Sequence, residues 1–284
     1  MFERFKRSWG LVKASAGVLA KDKELLVFPF LSSIATLIVA IAFILPALGL
    51  GALDGFGKDG SGHVSPLWYL LGFVFYFVQY GVIFFFNSAL VGAAMIRLDG
   101  GDPTVRDGLR IASSKIVPIL GYAAIAATVG VILRAVQERA GVIGRIVSGF
   151  IGLAWTVASF LVVPVLVSRD VGPIEAVKES ALLLKKTWGE NLIGQGGVGL
   201  VFGLLFFLLI AVGVFAIIGA ALTGSAVVIG IAVAALVIAL MVVGLVQAAL
   251  SGIYSAALYR YAKGEGASEG FDAQTLEHAF AVKK

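Results

Sequence analysis

Six stretches of this chain, at 25–50, 67–96, 116–136, 146–168, 192–222 and 226–257, run for 20 residues or more with almost no charge. A helix needs about 20 apolar residues to cross the hydrocarbon core of a bilayer. Strands are not expected. A membrane barrel alternates apolar and polar residues, whereas Phe84-Phe85-Phe86 and the 204–209 run LLFFLL alternate with nothing. The remaining composition agrees. Of 284 residues, 60% are hydrophobic and only 14% charged, against roughly 25% charged in ordinary soluble domains, and the mean hydropathy is +1.01. A soluble core of this length cannot hide so much apolar surface. A soluble enzyme, a disordered chain and a nucleic-acid binder are excluded. The expectation is an all-α, polytopic membrane helical bundle, with six spans arranged as three hairpins. Its membrane domain covers 1–263, and 264–284 forms a cytoplasmic tail.

Orientation follows from the basic residues in the short flanks of the spans. Of the 22 Lys and Arg, all but Lys58, Arg134, Arg139 and Arg145 fall on one side of a six-span arrangement. That places both termini in the cytoplasm. The apolar run after the first 23 residues is too long for the core of a signal peptide and has no clean small-x-small cleavage site, so it is expected to stay as an anchor.

Each hairpin is entered from an amphipathic segment, near 2–20, 103–116 and 173–190. In the first, Phe2, Phe5, Trp9, Val12, Ala16 and Leu19 recur at helical spacing, with Arg4, Lys6, Arg7 and Lys13 mainly off that face. In the second, Asp102-Pro103 reads as cap and first turn, before a stripe of Val105, Leu109, Ala112 and Ile116. In the third, Gly172-Pro173 opens a helix with Ile174, Val177, Ala181, Leu184 and Trp188 on one face and Lys178, Lys185 and Lys186 outside it. Such helices lie in the headgroup plane, or else extend the spans and pack on one another. After Arg260, Gly264-Glu265-Gly266-Ala267-Ser268 reads as a linker. Asp272 could then cap a short helix carrying Leu276, Ala279 and Phe280.

The chemistry-bearing residues are few. There is no cysteine and there are two histidines, His63 and His278, so thiolate chemistry is absent and neither a metal site nor a cofactor is expected. The middles of the spans carry no ionisable side chain, which removes the usual proton relay of a transporter and the base that hydrolysis would need. Arg134 and Glu138, four apart, read as a structural pair. Gln79, Asn87, Gln247 and Ser251 are the main polar residues within the spans, with Ser88, Thr128, Thr156, Ser159 and Tyr254 beside them. They read as interhelical hydrogen-bonding groups, or as the lining of a polar path. Gly244, Ala248, Gly252 and Ala256 recur every four residues, and Gly199-x-x-x-Gly203 repeats the pattern in the fifth span. Small residues at this spacing favour close helix packing. The glycine-rich run around Gly196 and Gly197 could offer backbone N–H groups to a lipid phosphate, with Lys185 and Lys186 nearby in sequence. Pro164 is expected to kink the fourth span.

Ser8-Trp9, Leu11-Val12-Lys13-Ala14-Ser15, Leu19 and Lys21-Asp22-Lys23-Glu24-Leu25 before Phe28-Pro29 resemble the entry segment of a bacterial multi-spanning family known only as a domain of unknown function. Pro173, Ala176, Ser180, Lys185 and Trp188 are similar to a segment of the membrane domain attached to some bacterial glycerophosphodiester phosphodiesterases. This chain has no phosphodiesterase domain, so that activity does not carry over. The resemblance implies a multi-pass protein of the bacterial inner membrane and supplies no catalytic residue. The functional expectation is a non-enzymatic protein that organises or senses the envelope through lipid and protein contacts. The alternative is a transporter or channel for a small solute or lipid. The expected partners are the phospholipid bilayer with its anionic lipids, and a second copy or another membrane protein. Nucleic acid is not among them. Arg4, Lys6, Arg7, Trp9, Lys13, Lys185, Lys186 and Trp188 are the side chains expected at the lipid.

Orientation is open to a direct check. A reporter fused at Gly60 should read outside the cytoplasm and one fused after Lys284 inside. The opposite pair of readings would end the six-span arrangement.

Overall fold

The computed structural model describes residues 2–49, 66–139, 141–188, 197–265 and 271. Among them the regular structure is helical, and six helical stretches are long and apolar enough to cross a membrane. These are Lys23–Pro46, Tyr69–Leu98, Ile116–Gln137, Gly144–Ser168, Val201–Ala221 and Ala226–Lys263. The chain is an all-α polytopic membrane bundle. It forms two units: a central one from 27–93 and 103–186, and a terminal one from 1–26, 94–102 and 187–284.

In the central unit, helices α2 (Val27–Gly49) and α3 (Pro66–Leu98, of which the last five residues belong to the terminal unit) form the first hairpin. Large side chains make this contact: the rings of Phe43 and Phe75 meet edge-on at 5.4 Å. Helix α4 (Val105–Ser114) packs across it. Its N-cap is Thr104 rather than the expected Asp102. The physical reason is a reciprocal capping box. The Asp107 N–H donates to Thr104 Oγ1 at 3.3 Å, and the Thr104 N–H donates to Asp107 Oδ2 at 3.0 Å. The Thr104 bonds also hold the Asp107 carboxyl below its ordinary pKa, as hydrogen bonds to the charged form do. Close approach comes from glycines that face bulky neighbours. A Cβ on Gly108 would stand 2.5 Å from Phe28 Cζ and 2.6 Å from the Ala89 carbonyl oxygen, and one on Gly92 would stand 2.9 Å from Ile111.

Helices α5 (Ile116–Arg139) and α6 (Gly141–Ala158) form the second hairpin, and the span continues as α7 (Val162–Ser168). The kink expected at Pro164 is a full break over 159–161, one turn earlier. Proline has no N–H for the carbonyl four residues back, and its ring crowds that carbonyl, so the disturbance falls on Phe160. Helix α8 (Pro173–Trp188) follows, opening at the proline.

In the terminal unit, helix α1 (Phe2–Lys21) runs into a 3-10 turn (Lys23–Leu26) and packs on α9 (Gly197–Ala221) and α10 (Ala226–Lys263). It buries Val12, Ser15, Val18 and Leu19. That face keeps Val12 and Leu19 of the stripe read in the sequence but is turned toward Ser15 and Val18, and it leaves Trp9 53% exposed. α9 and α10 approach through Gly213, where an added Cβ would lie 2.4 Å from Leu236 Cδ1. Two glycines at positive φ end helices here, Gly100 (85°) after α3 and Gly264 (77°) after α10. In both, the next residue's N–H reaches back to close the last turn: Gly101 to the Ile96 carbonyl at 3.0 Å and Glu265 to the Arg260 carbonyl at 3.1 Å. Phe271, just past the linker, is buried. The helix expected after Asp272, with Leu276, Ala279 and Phe280, lies outside the described residues.

Gly108→Ala should lower stability by about 1–3 kcal/mol, because the new methyl meets backbone as well as a ring. Gly203→Ala, whose methyl meets nothing within 4 Å, is the control and should be neutral or better. Thermal unfolding of the two variants in detergent distinguishes them. Equal melting would mean that α4 does not need this contact.

Candidate functional site

Among the described residues, polar and charged groups gather chiefly in three places: the outer face of α8, the interior of the central unit and a charged joint in the terminal unit.

The geometry of α8 starts from its buried side. Ala176, Ser180 and Leu184 are buried, and they lie on one face. At about 100° per residue, the face across the helix carries Ile174, Lys178, Leu182 and Lys185. All four are exposed, Ile174 by 61% and Leu182 by 66%. The stripe read in the sequence, with Ile174 inward, is therefore turned. Ser180 pulls the helix round because it has a partner to reach. The Leu161 N–H, freed by the break in the fourth span, donates to Ser180 Oγ at 3.0 Å. Two further ties fix the ends of this segment. Lys115 pairs with Asp170 and donates to the Arg169 carbonyl at 3.1 Å, and Arg169 pairs with Glu179. The Lys115 ammonium holds the Asp170 carboxyl below its usual range.

Lys13 and Trp9 are exposed on α1. The side chains of Arg4, Lys6, Arg7, Lys186 and Trp188 lie outside the described residues, as does Gly196. Gly197 is the first residue of α9.

Inside the central unit an aromatic series crosses three helices. Tyr76, Tyr80 and Phe84 stack along α3 at 6.0 and 5.6 Å, Phe84 stacks on Tyr122 of α5 at 4.4 Å, and Tyr122 faces Trp155 of α6 at 6.5 Å. The sequence reading missed this series. Its signal was the four-residue spacing on α3. At one end Arg134 donates to the Tyr76 hydroxyl at 3.5 Å. The side chain of Glu138, its expected partner, lies outside the described residues.

The neutral polar residues behave differently from one another. Gln79 Nε2 donates across helices to the Thr36 carbonyl at 3.3 Å, while its Oε1 is buried without a hydrogen bond among the described residues. Thr128, Thr156 and Ser159 instead bond the carbonyl four residues back in their own helix, at 2.7–2.9 Å. This is the local alternative open to short hydroxyl side chains. Asn87, Gln247 and Ser251 are half-buried, and Ser88 is buried with no hydrogen bond for its hydroxyl among the described residues. Of the small residues, Gly252 and Ala256 are buried, Gly244 is half-buried and Ala248 is exposed. Gly199 and Gly203 are exposed, and an added Cβ at either meets nothing within 4 Å. The close approach in this hairpin is made at Gly213 instead.

The charged joint gathers residues from three parts of the terminal unit. Asp22, between α1 and the 3-10 turn, is only 5% exposed. Its N–H bonds the Val18 and Leu19 carbonyls, but its Oδ2 has no hydrogen bond among the described residues. Burial pushes this carboxyl above its ordinary pKa. Arg97 opposes that shift, and Asp102 and Glu24 add to it. Arg97, in the last turn of α3, donates to the Gly101 carbonyl at 3.1 Å and keeps its Nε buried without a partner among the described residues. Arg260 of α10 pairs with Asp99 and lies 3.8 Å from Glu265. Asp99 is carried there by the last turn of α3, its N–H still bonded to the Met95 carbonyl at 3.0 Å, whereas the stop at Gly264 turns the chain back and brings Glu265 toward Arg260.

Fold and sites together define a polytopic helical membrane protein. The chain belongs to the family described as Family of unknown function (DUF6159), whose model matches residues 67–271. The match ends on buried Phe271 and begins after the entry segment at 8–29 that carried the resemblance. Comparison with curated proteins gives no match.

Ser180→Ala should strand the Leu161 N–H in an apolar interior, at a cost of about 1–3 kcal/mol. Ser180→Thr keeps the hydroxyl and is the chemical control. Amide hydrogen exchange at 159–162 should rise in the alanine variant. Unchanged exchange there would show that the break does not depend on α8.

Proposed function

We propose that this is a non-enzymatic integral protein of a bacterial inner membrane, with both termini cytoplasmic, that organises or senses the envelope by holding anionic lipid. The observation that carries the reading is the outward face of α8. Ile174 and Leu182 gain nothing from water, and Lys178 and Lys185 gain nothing from hydrocarbon. A headgroup layer satisfies both, because the apolar side chains enter the acyl boundary while the lysine stems reach back to the phosphates. Each Lys or Arg near an anionic leaflet contributes about 1 kcal/mol. The exposed pair Trp9 and Lys13 on α1 supports the same reading, since tryptophan favours the membrane–water boundary.

Transport of a small solute or lipid is the second reading, and the broken fourth span favours it. Non-helical backbone at membrane depth persists where it is buried in protein or lines a cavity. Here Leu161, Val162, Val163, Val165 and Leu166 are buried and Ser180 takes the freed N–H. Packing therefore accounts for the break, and the lipid-contact reading is the better supported.

Purified protein in mixed micelles should retain phosphatidylglycerol in preference to phosphatidylcholine, read by native mass spectrometry. Lys178→Gln with Lys185→Gln should reduce that preference, and added salt should weaken it through screening. Equal retention of both lipids by the unaltered protein would remove the proposal.

A further inference from the structure

We propose that Asp22 is a proton-operated latch that keeps α1 docked on the α9–α10 hairpin when protonated and loosens it when ionised. The geometry places a carboxyl group at the one joint through which α1 connects to the first span. It is nearly fully buried, with an oxygen that no donor satisfies among the described residues. A buried charge without a hydrogen-bonded partner is costly, and neutralisation relieves that cost. The surroundings do not supply a dedicated counter-ion. Arg97 faces Asp22 from the end of α3 but spends a guanidinium N–H on the Gly101 carbonyl. Asp102, in the loop after α3, and Glu24, in the 3-10 turn, add like charge. On α10, which also packs on this turn, Arg260 is engaged by Asp99 and Glu265.

The consequence for α1 follows from where the joint sits. Val18 and Leu19 are buried one turn before Asp22, and Leu25 three residues after it, so the aspartate cannot move into water without withdrawing its apolar neighbours. The buried arrangement prefers the protonated carboxyl, as the upward shift of its pKa also indicates. A group that binds its proton more tightly in the closed state stabilises that state as the pH falls. α1 is thus held most firmly under acid conditions and freed as the pH rises through the titration of Asp22.

Hydrogen exchange of the full-length protein in nanodiscs tests the latch. Protection of amides 12–22, corrected for the intrinsic pH dependence of exchange, should rise as the pH is lowered from neutrality through the titration of Asp22 toward the ordinary carboxylate range. The gain should not exceed about tenfold per pH unit, the limit for one proton. Asp22→Asn should show high protection that no longer varies with pH. Arg97→Gln removes a charge that favours the ionised form, and should move the midpoint to higher pH. Protection independent of pH in the unaltered protein would overturn the proposal. So would an Asp22→Asn variant that titrates as before, or an Arg97→Gln variant whose midpoint stays in place.

Discussion

A backbone N–H in hydrocarbon must find its acceptor within the protein, because no water is there to take it. Much of the central unit depends on how this is met at one point. Pro164 breaks the fourth span over 159–161, and the Leu161 N–H goes to Ser180 Oγ. That bond needs α8 to turn its Ala176–Ser180–Leu184 face inward. It leaves Ile174, Lys178, Leu182 and Lys185 outward as a consequence. A hydrogen bond that repairs a defect in a span therefore also sets which face α8 turns outward.

Between helices, shape does what the hydrophobic effect does in water. Lipid tails are as apolar as leucine, so helices associate through dispersion and a few polar contacts. The three hairpins use different means. Phe43 and Phe75 fill the first. Stacked Tyr122 and Trp155 bridge the second. In the third, Gly213 admits Leu236. Aromatic contacts of the stacked or edge-on kind add about 0.5–1.5 kcal/mol beyond burial, and glycine contacts add little except proximity. The third hairpin accordingly leaves a large apolar exterior, from Leu204 to Met241.

Charge is concentrated where helices end. Gly100 and Gly264 each accept a left-handed conformation that a side chain would resist. Asp99, at the end of α3 just before Gly100, and Glu265, turned back by Gly264, both pair with Arg260. Asp22 lies in the same unit without comparable satisfaction.

The sequence by itself determined the six spans, the helical class, the opening of α8 at Pro173 and a disturbance near Pro164. These depend on local quantities: run length, hydropathy and a missing N–H. Which face of each amphipathic helix turns inward was decided only by the tertiary structure. The spacing correctly marked Val12 and Leu19 on α1 and Leu184 on α8, but it pointed to Trp9 and Ile174 where the structure buries Ser15, Val18, Ala176 and Ser180. Likewise Gly199 and Gly203, small and correctly spaced, face outward, while Gly92, Gly108 and Gly213 make the close approaches. In a chain this apolar, nearly every helix face is greasy enough to be buried. Hydropathy then stops discriminating, and the choice passes to partners that only the fold brings near: a freed N–H, a facing ring, a carbonyl. Buried Asp22 and Phe271 belong to the same class, since nothing local distinguishes them from the exposed polar and terminal residues around them.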